Sequence, residues 1–196
     1  DDLISQYKNE FLTEIESGLE ATFAEEEVIP DLTEELRDMY APFECPIDID
    51  SGELPPASDR ELRLVDAIKE GLEQSMERHE DLVIMGQDVA EYGGVFKITE
   101  GFVEKFGKGR VRNTPITESS ILGAGYGLSI AKQKAVVEMQ FADFVTCGYN
   151  QIVNNLAKSH YRWGQSANVV VRMPTGAGVQ AGPFHSQSTE AWFYHV

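Results

Sequence analysis

A few side chains in this sequence combine reactive chemistry with a suggestive setting. Glu118 ends the run Thr114-Pro115-Ile116-Thr117-Glu118, where a short strand gives way to an apolar, glycine-rich helix. A carboxylate there has two readings. It can complement the positive end of the helix dipole, or it can be withdrawn from water, which raises its pKa and lets it share a proton with a heteroaromatic nitrogen. His185, in Pro183-Phe184-His185-Ser186-Gln187-Ser188, follows a strand and a glycine loop and has neighbours able to orient its ring. Imidazole titrates near neutrality and suits proton transfer, while a lone His equally serves packing or meets solvent. Gln140, Asp143 and Phe144 follow the strand-like KAVVEMQ; a strand end with a core aromatic fits them as well as a site does. His79 and His160 fall on charged helix faces, where solvated rings are expected.

Two glycine clusters invite a nucleotide reading, Gly123-Ala124-Gly125-Tyr126-Gly127 and Gly176-Ala177-Gly178-Val179-Gln180-Ala181-Gly182. Neither is a G-x-G-x-x-G at a strand-to-helix turn, and neither carries the Lys of a P-loop. The first is better read as small residues permitting close packing against a neighbouring helix or subunit, the second as a mobile loop beside a pocket.

The elements that must position these residues follow from periodicity. Leu3, Tyr7, Phe11, Ile15 and Leu19 recur every four residues, which predicts an amphipathic helix over 3–24 with glutamates on its other face. A second short helix is expected over 33–39. The proline-bearing stretch APFECPIDIDSGELPPASD reads as a linker. Ser58 and Glu61 have capping-box spacing, and Leu64, Ile68, Leu72 and Met76 continue on one helix face. Strand-like and helix-like segments then alternate, with a single helix expected over about 147–162. The cores Val83-Ile84-Met85, Val136-Val137 and Val169-Val170-Val171 are continuous apolar runs, as in parallel strands covered on both faces. The fold class is therefore α/β, a parallel sheet flanked by helices and preceded by an acidic helical arm. Three segments result: an arm over 1–40, a linker over 41–60 and a sheet domain over 61–196.

Charge divides the chain in the same way. Of 33 acidic residues, 18 lie in the first 60 positions against three basic ones, while the remainder is nearly neutral. A field of that sign repels phosphate backbones and disfavours nucleic acid. No stretch approaches the roughly 20 apolar residues of a membrane span, and the first residues carry no secretory signal. Cys45 and Cys147 stand about a hundred residues apart, with neither disulfide-framework nor zinc spacing. A cytoplasmic setting is expected, for a chain that is an internal piece of a longer product.

Five motifs occur in order: Gly86-Gln87-Asp88-Val89-Ala90, Gly93-Gly94-Val95-Phe96, Asn113-Thr114-Pro115-Ile116-Thr117-Glu118, Gln140-Phe141-Ala142-Asp143-Phe144 and His185-Ser186-Gln187-Ser188. Their register resembles the β part of the thiamine-diphosphate-dependent decarboxylating component of 2-oxo acid dehydrogenase complexes. It covers about 61–196, a transketolase-like pyrimidine-binding domain without the C-terminal domain of the β part. Residues 1–40 resemble the closing helices of the α part, which implies a fused α–β chain.

The resemblance implies roles. Glu118 matches the acid that bonds the aminopyrimidine ring nitrogen of thiamine diphosphate, with Ile121, Leu122 and their neighbours expected to keep it dry. Phe144 matches the aromatic against the pyrimidine, Gln140 and Ile116 match other cofactor-contacting positions, and His185 matches the His near the reacting carbon. No metal ligand is expected in this chain, since the family holds Mg2+ and the diphosphate through the α part. The implied partners are that α part, in cis or in trans, and the lipoyl domain of the acyltransferase component. The implied assembly is a homo-oligomer or an α2β2-like oligomer, with the glycine-rich helix in a subunit contact. The implied reaction is oxidative decarboxylation of a 2-oxo acid with acyl transfer to the lipoyl group, the piece alone being inactive. The motifs favour branched-chain substrates such as 3-methyl-2-oxobutanoate. Pyruvate or acetoin enzymes of the family, and a non-catalytic interaction fragment, are the alternatives.

Overall fold

Residues 2–37, 39–42 and 60–196 are described by the computed structural model. They form two units, one before and one after residue 38. In the first, helix α1 (Asp2–Ala24) carries the predicted four-residue ridge, and none of its side chains is buried within the unit. Helix α2 (Leu32–Arg37) begins one residue earlier than expected because Asp31 caps it, its carboxylate accepting from the Thr33 and Glu34 amides at 2.8 and 3.4 Å. Most of the expected linker, Cys45 and Ser58 included, lies outside the described residues.

The second unit opens with α3 (Leu64–Arg78). Its start corrects the capping-box reading: Glu61 precedes the helix, and Arg63 occupies the cap position with no side-chain cap, instead pairing with Asp66 one turn on at 2.7 Å. Four strands follow, β1 (Leu82–Gly86), β2 (Val111–Asn113), β3 (Lys134–Glu138) and β4 (Val169–Arg172), with α4 (Phe102–Phe106) before β2 and α5 (Glu118–Ile130) between β2 and β3. They make a parallel sheet in the order β2-β1-β3-β4.

Alternation across the pleat distributes the apolar runs to two cores. Leu82, Ile84 and Val136 pack with Met76, Phe102, Val103 and Val111 on the α3 and α4 face. Val83, Met85 and Val137 pack with Ile121, Leu122 and Met139 on the α5 face. Each fully buried side chain of this kind contributes about 1.5–3 kcal/mol, so these two layers dominate stability. Strand β4 departs from expectation. Val169 and Val171 join the α5 core, but Val170 on the opposite face is 58% exposed. The α3 and α4 layer lies over β1, β2 and Val136 of β3, and β4 is the sheet edge.

The helix expected over about 147–162 is broken: a 3-10 turn (Ala142–Cys147) ends where it was to begin, and a π-helical turn (Gln151–Leu156) and α6 (Ser159–Trp163) follow in its place. Gly148 interrupts it, sitting where any side chain would strike Leu122 of α5. Gln151 then reaches Ser119, its amide donating at 3.5 Å. The glycines of α5 differ in their surroundings. Gly125 faces the sheet, where a Cβ would lie 2.7 Å from a Val137 methyl, whereas Gly127 meets nothing within 4 Å. At Gly125 the close approach that glycine permits is helix on strand, within the domain.

Candidate active site at the carboxyl edge of the sheet

Parallel register places the last residues of all four strands in one row, Asn113 beside Gly86, Gly86 beside Glu138 and Glu138 beside Arg172. The chain runs from β1 out towards β2 through α4, and from β3 out towards β4, so the connections diverge between β1 and β3. A crevice at such a divergence is where open α/β sheets bind ligands. The segments that carry the candidate residues, 87–88, 114–118, 139–144 and 173–187, all leave the sheet from this row.

Side-chain hydrogen bonds tie these segments together. Gln87, just after β1, donates its amide to Glu118 Oε1 at 3.2 Å. Gln140, after β3, donates to Asp88 Oδ2 at 3.4 Å across the crevice. Asp143, 6% exposed, accepts from both the backbone and the side-chain amide of Gln187. Asn113 at the end of β2 accepts from the Ala90 amide at 2.7 Å and donates to Glu91 at 2.9 Å, pinning the loop after β1. That loop needs Gly93 at φ +81°, because a Cβ there would meet the Glu100 backbone at 2.6 Å.

Glu118 is the first residue of α5, after Thr117 at the cap position. Its carboxylate is half-buried. Ile121 and Leu122, expected to keep it dry, are buried between α5 and the sheet. They stand three and four positions on, so they share the Glu118 face of α5 one turn further along the helix. Glu118 itself keeps partial solvent access in this chain.

His185 and Phe144 do come together. The imidazole stands edge-on to Phe141 and Phe144, with ring centroids 5.1 and 5.3 Å away. Phe141 in turn meets Phe96 edge-on at 6.0 Å. A cavity of about 460 Å³ adjoins His185, bounded by Phe96, Ile98, Phe141, Arg172, Met173 and Val179 among others. Gln140 is half-buried, and Ile116 is 79% exposed on the segment leading to Glu118. His79 and His160, expected to be solvated, are half-buried.

A buried ion pair under the site escaped the sequence reading. Glu138, 2% exposed, pairs with Arg172 across the β3–β4 register. Burial pushes its carboxyl above the usual carboxylate range, and the Arg172 guanidinium opposes that shift. A signal existed: each valine-rich strand carries one charge of opposite sign at its carboxyl end. Asp88 was also unassigned as a left-handed residue, at φ 57°.

The fold and the divergent carboxyl edge define an α/β ligand-binding domain of the doubly wound kind. Residues 60–196 match the family model described as transketolase, pyrimidine binding domain, and the chain belongs to that family. It is 44% identical over 131 residues to a 2-oxoisovalerate dehydrogenase subunit beta of Bacillus subtilis, covering 66% of this chain and 40% of that one. It is 42% identical over 142 residues to subunit beta 2 of the mitochondrial 2-oxoisovalerate dehydrogenase of Arabidopsis thaliana (71% and 39% covered). It is 40% identical over 138 residues to a pyruvate dehydrogenase E1 component subunit beta of Staurastrum punctulatum (69% and 42% covered). These relatives bear out the resemblance to the β part of 2-oxo acid dehydrogenases. The chain spans about two fifths of the length of the curated relatives it matches. No helix among the described residues is long and apolar enough to cross a membrane.

Proposed function

We propose that this chain supplies the β half of a thiamine-diphosphate site in a 2-oxo acid dehydrogenase that decarboxylates a branched-chain 2-oxo acid, 3-methyl-2-oxobutanoate foremost, and passes the acyl group to a lipoyl domain. The observation that carries the reading is the joining of the motif segments at one sheet edge by the bonds Gln87 to Glu118, Gln140 to Asp88 and Gln187 to Asp143.

The residues present suit a pyrimidine ring. Glu118 offers a carboxyl with one open side at a helix N-terminus, Phe144 an aromatic edge, Gln140 an amide, and Ile116 an exposed apolar surface. When bound, thiamine diphosphate would supply a thiazolium carbon that, once deprotonated, serves as nucleophile toward a 2-oxo carbon, and a cationic ring able to take up the electron pair left by loss of CO2. Glu118 holds the proton shared with the ring nitrogen. Gln87 keeps one carboxyl oxygen oriented, leaving the other for the ring. Phe144 and Ile116 exclude water, and Gln140 orients the ring edge. His185 moves protons near the reacting carbon. General acid–base assistance of this kind is worth about 10²–10⁴-fold in rate.

The half-open Glu118 fits a site closed by an α part, in cis or in trans. That part also carries the Mg2+ and diphosphate contacts, within a homo-oligomer or α2β2-like assembly. This chain by itself turns over nothing. In the same reading residues 1–40 are the end of the α part, 41–60 a linker and 61–196 the pyrimidine-binding domain, in a cytoplasmic enzyme. The division of the described residues after residue 38 is consistent with that order.

The test is decarboxylation by the assembled enzyme with an artificial electron acceptor, dependent on thiamine diphosphate and Mg2+, comparing 3-methyl-2-oxobutanoate with pyruvate. A higher kcat/KM for the branched acid is expected. Preference for pyruvate overturns the substrate assignment alone. Glu118→Gln is expected to abolish turnover with an unchanged circular dichroism spectrum; retained turnover overturns the reading.

A further inference from the structure

Gln187, two residues beyond His185, is gripped by three hydrogen bonds. Its backbone N–H and its side-chain amide donate to the same oxygen, Asp143 Oδ1, at 3.2 and 2.9 Å. Its carbonyl accepts from the Thr175 hydroxyl at 2.7 Å. Asp143 hangs from the 3-10 turn that follows β3, and that turn is itself fastened: the Ala142 amide donates to the Pro174 carbonyl at 2.9 Å, and the Thr146 hydroxyl to the Asp143 carbonyl at 3.1 Å. Phe144 belongs to this turn and Phe141 immediately precedes it, and these are the rings against which His185 stands. One rigid body thus supplies both the walls and the anchor.

Elsewhere in the His185 segment the bonds are local, the Ala181 amide donating to Ser186 Oγ at 3.1 Å and the His185 amide to the Gly182 carbonyl at 3.4 Å. Residues 173–188 contain no helix or strand beyond two three-residue turns, and Gly176 and Gly182 adopt positive φ. A proton-transferring imidazole must come within about 2.6–3.2 Å of its target, and a misplacement of about 1 Å can cost about 10²-fold in rate. The segment that bears His185 therefore needs an external anchor, and the Asp143 carboxylate provides one.

We propose that Asp143 is a positioning residue, holding His185 in working orientation through the clamp on Gln187. The proposal rests on the reading of His185 as the proton-moving group. It also makes a chemical distinction. Both accepted bonds fall on Oδ1, while Oδ2 has no protein donor among the described residues. The anchor is an acceptor atom, and Asn can supply it where Ala cannot.

In the assembled enzyme, Asp143→Ala is expected to lower kcat by about 10²-fold with little change in KM for the 2-oxo acid, and Asp143→Asn to retain most of the rate. Placed in a His185→Ala background, Asp143→Ala is expected to have no further effect, since residues acting as a unit are non-additive. Amide hydrogen exchange over 183–188 supplies a readout apart from turnover: faster in Asp143→Ala, unchanged in Asp143→Asn. Should Asp143→Ala fail to fold, Gln187→Ala, at an exposed position, removes one of the two bonds to the same oxygen. It must show the same dependence on His185 with a smaller loss.

An equal loss of kcat with and without His185 overturns the proposal, and so does an Asp143→Ala enzyme with normal kcat where His185→Ala is impaired. A normal kcat in His185→Ala alongside a dead Glu118→Gln removes the role of His185, and the positioning role with it, while leaving the thiamine reading standing.

Discussion

Glu138 and Arg172 sit beneath the site as a buried pair of opposite charges. Removing one partner of such a pair leaves an uncompensated charge and typically costs about 3–5 kcal/mol. Arg172→Met is expected to destabilise the domain by that amount near neutral pH. The sign of its pH dependence follows from the Glu138 carboxyl, which burial already pushes up and which the guanidinium holds down. Without the guanidinium the folded carboxyl rises further above its unfolded value. The unfolded chain then ionises where the folded one resists, so the fold loses stability as pH rises through that interval and regains it as pH falls. Urea unfolding at about pH 5 and about pH 8 should show the deficit of the variant shrinking at the lower value. A deficit independent of pH would mean that a charge on Glu138 is not what the variant strands.

The glycine-rich helix α5 makes a second, opposed pair of predictions. Gly125→Ala puts a methyl 2.7 Å from a Val137 methyl on a strand that cannot move aside, and 3.4 Å from Val169. The strain outweighs the gain in helix propensity, giving a net loss of about 1–3 kcal/mol. Gly127→Ala meets open space and is expected to stabilise by about 0.5–1 kcal/mol, as Ala does for Gly in a helix interior. Thermal unfolding of the two variants should shift in opposite directions. Equal shifts would mean that α5 does not pack on β3 through Gly125. By contrast, α1 shows an element that its own unit does not bury: Leu3, Tyr7, Phe11, Ile15 and Leu19 are all exposed there, whereas most helical stability in proteins comes from packing such an amphipathic face.

The proposed assembly would cover what this chain leaves open. Ile116, on the approach to Glu118, is an exposed apolar side chain, and exposed positions usually change stability by no more than about 0.5 kcal/mol. Ile116→Ser is therefore expected to leave the unfolding midpoint of this chain unchanged. In the assembled enzyme it should weaken activation by thiamine diphosphate, measured as the cofactor concentration giving half-maximal rate. An unchanged concentration would mean that Ile116 has no contact with the cofactor. The acidic half of the charge distribution, concentrated before residue 60, bears on what approaches the arm and not on the fold of the sheet.

Much of this was legible along the chain because it depends on local chemistry and periodicity. Continuous valine-rich runs point to parallel strands in a sheet covered by helices, and the four-residue spacing of Leu3 to Leu19 to one face of a helix. Glu118 and His185 stood out as reactive groups just after strands, where an open α/β sheet directs its ligands. Other features depended on which elements met. That Gly125 relieves a clash with a strand and that Val170 faces outward at a sheet edge both follow from strand order and helix placement, which carry no local signature. The register of β3 and β4 brings Glu138 to Arg172, and the folding back of the last segment brings Gln187 to Asp143, 44 residues earlier. Contacts at that separation are set by the closure of the sheet, and neither residue's neighbours in the chain encode them.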